Sequence, residues 1–247
     1  MVIVFRGHVS KITQIAVCCV VSALTLGPAS ADKKRVLPTV RWAEQTPGCT
    51  FEAGDDGFYR WGLWSSDLGI TLAVDSQELV KARKRVGQPL LLKLAFKYRG
   101  TRSLDVTTNQ MTLEFVRHSH VILDAFDPDD FTSRLQANAE ALENEAQHEM
   151  KKHPDKESEK EPAMQAYLRD STEFQDFFDK NALRDVRLDS GNAETAGWIA
   201  FSTRNKWIGD WKKQEEFVLR IPFEDRVFEF PFSLPPSEGE LLLRKRP

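Results

Sequence analysis

Two histidines in the stretch HEMKKH are the first residues whose spacing suggests chemistry. His148 and His153 are five residues apart, whereas zinc hydrolases with this pattern place their histidines four residues apart. Each helical residue turns by about 100°, so a five-residue step puts the second imidazole about 140° from the first. Lys151 and Lys152 suit the negative end of a helix that stops at Pro154. The sequence therefore predicts a charged helix end here rather than a metal site.

The second histidine pair has a spacing that suits metal binding better. In HSH, His118 and His120 alternate as they would on one face of a strand, and Asp124 has the same parity. Two imidazoles and a carboxylate are ligands that zinc and copper accept. An alternative hypothesis is therefore a metal-dependent hydrolase built on these three residues. The competing interpretation is a pair of exposed strand histidines that bind no ion.

The most suggestive segment is the loop STRNKWIGDWKKQ at 202–214, which lies between two predicted strands. An exposed indole can stack on a sugar ring, while neighbouring cations attract anionic groups. A cell-envelope glycan or another protein is the expected partner. The predicted binding residues are the two tryptophans and four cations of the loop, Trp207, Trp211, Lys206, Lys212, Lys213 and Arg204. In the competing interpretation, one or both tryptophans fold back and cap the end of the core.

Known catalytic signatures are missing from the sequence. It has no G-x-S-x-G, Cys–His, Walker or dinucleotide motif. DAFDPDD at 124–130 lacks the ligand order and the central glycine of a calcium-binding loop. With 34 basic and 37 acidic residues, the composition gives no reason to expect nucleic acid as a partner. We therefore favour a non-catalytic binding or assembly module, without a cofactor, over an enzyme.

Apolar side chains on alternate residues indicate that most of the chain forms strands. In PLLLKLAFKY at 89–98, apolar side chains fall on one face, with Lys93 and Lys97 on the other. The same alternation occurs in MTLEFV, VFEFPFSL, GITLAV, HVILDAF, GWIAFST and EFVLRIPF. The segment 49–64 is typical of a hairpin, and Pro231 predicts an edge or bulged position in the last strand. These strands suit an antiparallel sandwich.

The segment 127–183 departs from this pattern and is predicted to form an acidic helical hairpin. It contains 15 acidic and 7 basic residues. Asp127 can cap the first helix, with Pro128 at the first helical position. Phe126 and Phe131 occupy the two positions of a hydrophobic staple, which fixes the entry of the chain into the helix.

The expected second helix of the hairpin runs from about Pro162 to Asn181, with a break near Ser171–Thr172. The connector DKESEKE at 155–161 is expected to be solvated. A second charged segment, LVKARKRV at 79–86, is predicted to be a solvated basic loop. Two alternatives are that it binds a polyanion or docks against the acidic hairpin.

The N-terminus predicts export. Ile12 to Leu26 is an apolar run behind a basic start, Pro28 follows it, and the small residues up to Ala31 form a cleavage pattern. The run is shorter than the ~20 residues that cross a bilayer, so we expect a cleaved signal peptide and no stable membrane insertion afterwards. Periplasm and external medium both fit. Cleavage leaves Cys49 as the single cysteine, expected to be a small buried apolar residue in a fold without an internal disulfide.

The segments PLLLKLAFKYRGTRSLDVTTNQMTLEF and GWIAFSTRNKWIGDWKKQEEFVLRIPF resemble exported bacterial proteins with an immunoglobulin-like domain of unknown function. The resemblance implies an antiparallel immunoglobulin-like β-sandwich and an extracytoplasmic location, and it supplies no active residues. The expected organisation is a signal peptide at 1–31, a linker at 32–46, a β-sandwich at 47–126 and 184–234, a helical insertion at 127–183, and a tail at 235–247.

Overall fold

The structure, a computed structural model, describes residues 37–154 and 157–236. The predicted signal peptide at 1–31, with its cleavage site after Ala31, lies outside the described residues, as does the predicted tail from 237 onward. None of the described helices is long and apolar enough to cross a membrane.

Strands make up most of the regular structure, as the alternation predicted. Their bounds are β1 Thr39–Arg41, β2 Cys49–Ala53, β3 Phe58–Ser65, β4 Leu68–Asp75, β5 Pro89–Tyr98, β6 Leu104–Val106, β7 Thr112–Phe115, β8 Val121–Asp124, β9 Val186–Leu188, β10 Glu194–Ser202, β11 Glu215–Pro222 and β12 Val227–Leu234. The three α-helices are α1 Glu78–Lys84, α2 Pro128–Lys152 and α3 Glu157–Asn181, and Thr108–Gln110 forms a short 3₁₀ turn.

Two five-stranded sheets, in the orders β1-β12-β11-β7-β8 and β10-β5-β4-β3-β2, contain all these strands except β6 and β9, which pair with each other. Neighbouring strands are antiparallel except β1 and β12, which run parallel. The predicted hairpin at 49–64 is confirmed, because β2 pairs antiparallel with β3. The protein is therefore mainly β with antiparallel sheets, and the single parallel pair is confined to three residues of β1.

The inner faces of the two large sheets share one apolar core. The ring centroids of Trp61 and Phe232 lie 5.3 Å apart, and those of Phe96 and Phe223 lie 6.5 Å apart. On β5, the alternate residues from Leu90 to Tyr98 are all buried, as their spacing predicted. Half-buried Cys49 packs against this core and forms no disulfide with a residue that the structure describes. Burial on one face of each sheet fixes strand register, since a slip of one residue would turn the apolar side chains to solvent.

The N-terminal segment assigned as a linker contributes to the sheet. β1 pairs with Val227–Glu229 of β12, and Trp42, the residue after β1, is only 5% exposed. The linker prediction was wrong for these residues because a three-residue strand is too short to show alternation.

Pro231 lies in a part of β12 that has only one partner strand in the described part of the chain. β1 pairs with only the first part of β12, so no second strand among the described residues lies beside Pro231. Proline lacks the N–H that such a partner would need.

The start of α2 is as the sequence predicted. Oδ1 of Asp127 accepts hydrogen bonds from the backbone N–H groups of Asp129 at 3.0 Å and Asp130 at 3.1 Å. The rings of Phe126 and Phe131 stack with centroids 4.7 Å apart, which confirms the staple.

The prediction for α3 was wrong at two points. It begins at Glu157 with Pro162 inside it, and it continues unbroken through Ser171 and Thr172.

The base of the α2–α3 hairpin covers the outer face of the second sheet. Phe131, Leu135 and Phe178 form a buried cluster with Leu91 of β5 and Ala200 of β10. Leu91 points away from the main core, so β5 is apolar on both faces at this position. The hairpin is therefore part of the folded unit at its base.

The segment 79–86 is mostly helical, so the prediction of a basic loop was wrong. Glu78, at the start of α1, is fully buried and accepts a hydrogen bond from the backbone N–H of Leu91 at 2.7 Å. Arg85 pairs with the same carboxylate through both terminal nitrogens. Burial raises the pKa of Glu78, and Arg85 opposes that effect. These contacts fix α1 against β5 and leave Arg83 exposed on its outer side.

Candidate binding cleft

The predicted aromatic-basic loop connects β10 to β11 at 203–214 and is folded by local hydrogen bonds. The hydroxyl of Thr203 donates to the carbonyl oxygen of Gln88 at 2.6 Å. Further along, Asn205 accepts from the backbone N–H of Ile208 at 2.9 Å through its carbonyl oxygen and from that of Trp207 at 3.0 Å through its side chain. Ile208 then packs against the main core, which holds the middle of the loop in place.

The two tryptophans of the loop differ in environment. Trp211 is half-buried, and its ring centroid lies 6.3 Å from that of Phe115 and 6.2 Å from that of Phe217. Trp207 is 60% exposed, and the amine of Lys206 lies 4.9 Å from its ring centroid. The capping interpretation therefore holds for Trp211 and fails for Trp207. The two tryptophans therefore do not form one exposed surface.

A buried histidine–glutamate pair fixes the end of the loop. Nε2 of His118 lies 3.0 Å from Oε2 of Glu215, which is fully buried at the start of β11. The other carboxylate oxygen of Glu215 accepts a hydrogen bond from the backbone N–H of Lys212. The ring of Trp211 lies edge-on to that of His118, with centroids 6.0 Å apart. Buried polar groups with partners hold a segment in one conformation, so the position of Trp211 is well defined.

Helix α1 lies next to this loop. Nη2 of Arg83 donates to the carbonyl oxygen of Trp211 at 3.1 Å, although the two residues are 128 positions apart. Between α1 and the loop lies a cleft of about 510 Å³. Tyr59, Leu79, Val80 and Trp211 provide its apolar and aromatic wall. This volume is within the range of about 300–1,000 Å³ that small-molecule sites occupy.

The charge in the cleft is positive. Arg83, Lys212 and Lys213 are exposed and line the cleft, and its lining among the described residues includes no carboxylate. The acidic side chains of α1 and β4 are already paired, Glu78 with Arg85 and Asp75 with Lys81. No carboxylate among the described lining residues neutralises these cations. An anionic group that enters the cleft would therefore meet uncompensated positive charge.

The predicted binding residues divide into two groups. Trp211, Lys212 and Lys213 line the cleft. Arg204, Lys206 and Trp207 are exposed on the outer part of the loop and do not line it.

Sequence reasoning missed Tyr59, and it did not place Leu79, Val80 and Arg83 beside the loop, although a polyanion was one expected partner of the segment 79–86. The spacing of Leu79 and Ala82, three residues apart within a basic segment, is the signal that could have indicated a helix with one basic face.

The predicted metal site is not formed. β8 begins at Val121, and Ser119 and His120 before it have positive φ values of 54° and 55°, so His118, His120 and Asp124 do not share one strand face. His118 points into the interior toward Glu215, while Nδ1 of exposed His120 lies 2.6 Å from Oε1 of Glu114. Within 37–154 and 157–236, no group of three or more His, Cys, Asp or Glu side chains is placed to hold a metal ion.

The HEMKKH histidines also fit the sequence prediction of a helix end. His148 lies within α2, and His153 follows its last turn, where its backbone N–H donates to the carbonyl oxygen of Glu149 at 2.9 Å.

His120 takes part in a network of polar and charged side chains on the outer face of the first sheet. Burial acts to raise the pKa of Glu114, but hydrogen bonds from His120 and Arg220 outweigh it and hold that pKa below its ordinary value.

Comparisons with protein-family models, with curated proteins and with solved structures found no match to this chain.

Proposed function

We propose that this protein is a non-catalytic binding module that holds an anionic saccharide of the cell envelope in the cleft between α1 and the 203–214 loop. The observation that carries the proposal is the convergence of Arg83, Lys212 and Lys213 beside Trp211 and Tyr59, in a cleft without a carboxylate among its described lining residues. Cations attract the acidic group of such a ligand, and the aromatic wall can contact its ring.

The form of the cleft favours a saccharide over a second protein. Stable protein–protein interfaces bury about 800 Å² on each partner. Here the cationic side chains line a concavity of about 510 Å³ whose aromatic wall is tied to the core through Trp211. A rigid concave site of that size suits one or two sugar units with a carboxylate or phosphate.

Export and an immunoglobulin-like scaffold complete the proposal. The signal-peptide pattern ending at Ala31 supports a periplasmic or secreted protein. Two facing antiparallel sheets around one core support an immunoglobulin-like sandwich. The succession β2-β3-β4-β5 within a single sheet departs from the usual immunoglobulin order, in which consecutive strands change sheets.

The test is co-sedimentation with purified peptidoglycan of the wild type and of a variant in which Lys212 and Lys213 are both alanine. Both side chains are exposed, so the variant should fold normally. We expect its affinity to fall at least about tenfold, which corresponds to about 1.4 kcal/mol. The matched control replaces Lys151 and Lys152, also adjacent and exposed at the end of α2, and should bind like the wild type.

Two results would count against the proposal. Equal loss in both double variants would mean that retention reflects overall charge instead of the cleft. Displacement of the protein from peptidoglycan by soluble polyaspartate as effectively as by a carboxylated sugar would identify an acidic peptide as the ligand.

A further inference from the structure

The far half of the α2–α3 hairpin leaves an apolar groove uncovered. At the base, Phe131, Leu135, Ser171 and Phe178 are buried. From Ala139 to the end of α2, and in α3 before Ser171, none of the described side chains is fully buried. Among the described residues, the apolar side chains of this half face only the other helix of the hairpin, whereas a helix in a bundle normally buries a wider stripe.

The groove between the two helices has a volume of about 370 Å³. Leu142, Ala146, Ala163, Met164 and Tyr167 line it, and Leu142 is 43% exposed. The alanines keep both walls low, which allows the backbone of another helix to approach. Two facing helices with an open apolar groove have the geometry of a three-helix bundle that lacks its third member.

The charges around the groove select the occupant. Glu143, Glu145 and Glu149 lie along the α2 wall, while Lys160 on the α3 wall is paired with Glu149. The insertion as a whole has 15 acidic and 7 basic residues. A second copy of the hairpin would bring like charges together, and an anionic membrane would be repelled for the same reason. A helix with lysine or arginine beside its apolar stripe is complementary to both features of the groove.

We propose that the groove docks a basic amphipathic helix of a partner protein. The apolar stripe of that helix fills the space between Leu142 and Met164, and its cations lie against Glu143 and Glu145. The hairpin then serves as a docking arm, and the sheets carry the saccharide cleft at a separate site. The inference does not depend on the proposed saccharide ligand, because the two sites share no residue.

The probe for this proposal is a synthetic helical peptide with leucines at three- and four-residue spacing and lysines on both flanks. The control peptide has the same sequence with glutamate in place of every lysine. Fluorescence anisotropy of the labelled peptides with the full chain measures binding. We expect the lysine peptide to bind with micromolar affinity and the glutamate peptide not to bind. Amide exchange should slow in α2 and α3 on binding of the lysine peptide.

Two variants separate groove binding from charge attraction. Leu142→Glu places a charge in the groove, and Asn144→Glu adds the same charge on the same helix, about 200° away around its axis. Both residues are exposed, so circular dichroism should be unchanged. We expect Leu142→Glu to weaken the lysine peptide at least about tenfold and Asn144→Glu to leave its affinity equal or slightly higher.

The proposal is overturned if the lysine peptide binds both variants equally, because simple charge attraction then explains binding. It is also overturned if the lysine peptide does not bind the wild type. Sedimentation of the wild type as a dimer that Leu142→Glu dissociates would make a second copy the occupant and exclude a basic partner.

Discussion

Arg83 and Trp211 are joined by a hydrogen bond of 3.1 Å from Nη2 of the guanidinium to the tryptophan carbonyl oxygen. This contact connects α1 to the loop before β11 and brings two basic segments of the chain to opposite sides of one cleft. Arg83 therefore supports the loop and, under the proposed function, also presents charge to the ligand.

Replacing Arg83 by alanine should loosen the loop and weaken binding together. An exposed charged hydrogen bond contributes on the order of 1 kcal/mol, so the melting temperature should change little. Hydrogen exchange of the amides at 203–214 should accelerate, whereas Lys213→Ala, which removes only charge, should leave exchange unchanged. Unaltered exchange in the arginine variant would show that this contact does not support the loop.

The two loop tryptophans should differ in their contribution to stability. Trp211→Ala removes rings packed on Phe115 and Phe217 and should cost about 2–4 kcal/mol, somewhat less than a fully buried tryptophan. Trp207→Ala should change the free energy of unfolding by no more than about 0.5 kcal/mol, because its ring is exposed. Urea denaturation measures both. Similar losses for the two variants would contradict the assignment of Trp211 to packing.

Glu215 should be important for stability despite its polar side chain. Glu215→Ala leaves Nε2 of buried His118 without its partner, at about 1–3 kcal/mol, and also removes the acceptor of the half-buried backbone N–H of Lys212. The neighbouring Glu216→Ala is the control. Its ion pair with Arg117 is partly exposed and should contribute no more than about 1 kcal/mol. Equal urea midpoints for the two variants would exclude an anchoring role for Glu215.

The carboxyl group of Asp56, in the β2–β3 turn, should titrate at a more acidic pH than an ordinary aspartate. Hydrogen bonds from the Arg60 side chain lower the pKa of Asp56 from 3.8 to about 2. The folded state prefers the charged carboxylate, so its contribution to stability is complete above pH 3.8 and is lost as the pH falls through about 2. Carbon NMR of the carboxylate measures the midpoint. Arg60→Gln should raise it toward the ordinary value, and an unchanged midpoint would assign the shift to another cause.

The two halves of the helical hairpin should respond differently to deletion. Removing 127–183 exposes Leu91 and Ala200, so the product should unfold at much lower urea concentration. A shorter deletion of 139–168, closed by a glycine-rich turn, keeps Phe131, Leu135 and Phe178 and should preserve the cooperative transition. Loss of folding in the short deletion would mean that the far half of the hairpin also stabilises the sheets.

Much of the fold could be predicted because its determinants are local. Alternation in β5 and β12 gave their bounds, and Asp127 with Pro128 located the start of α2. The start of α3 was missed because proline usually marks the first helical position, whereas Pro162 lies inside this helix.

The candidate site was only partly predictable. The cleft depends on a contact between Arg83 and Trp211 across 128 positions, and no local pattern indicates such a pair. The metal hypothesis assumed that a strand continues through His118 and His120. Positive φ values at Ser119 and His120 break that strand, and such values are uncommon for residues other than glycine, so the alternation did not indicate them.

The most direct test of the central claim is NMR titration of the tryptophan indole N–H signals with N-acetylmuramic acid, a carboxylated sugar. The signal of Trp211, assigned with a conservative Trp211→Phe variant, should shift and saturate in the wild type. The same signal should stay fixed in the Lys212→Ala, Lys213→Ala double variant. A wild-type titration that leaves Trp211 unmoved, or that moves only Trp207, would contradict an anionic saccharide in this cleft.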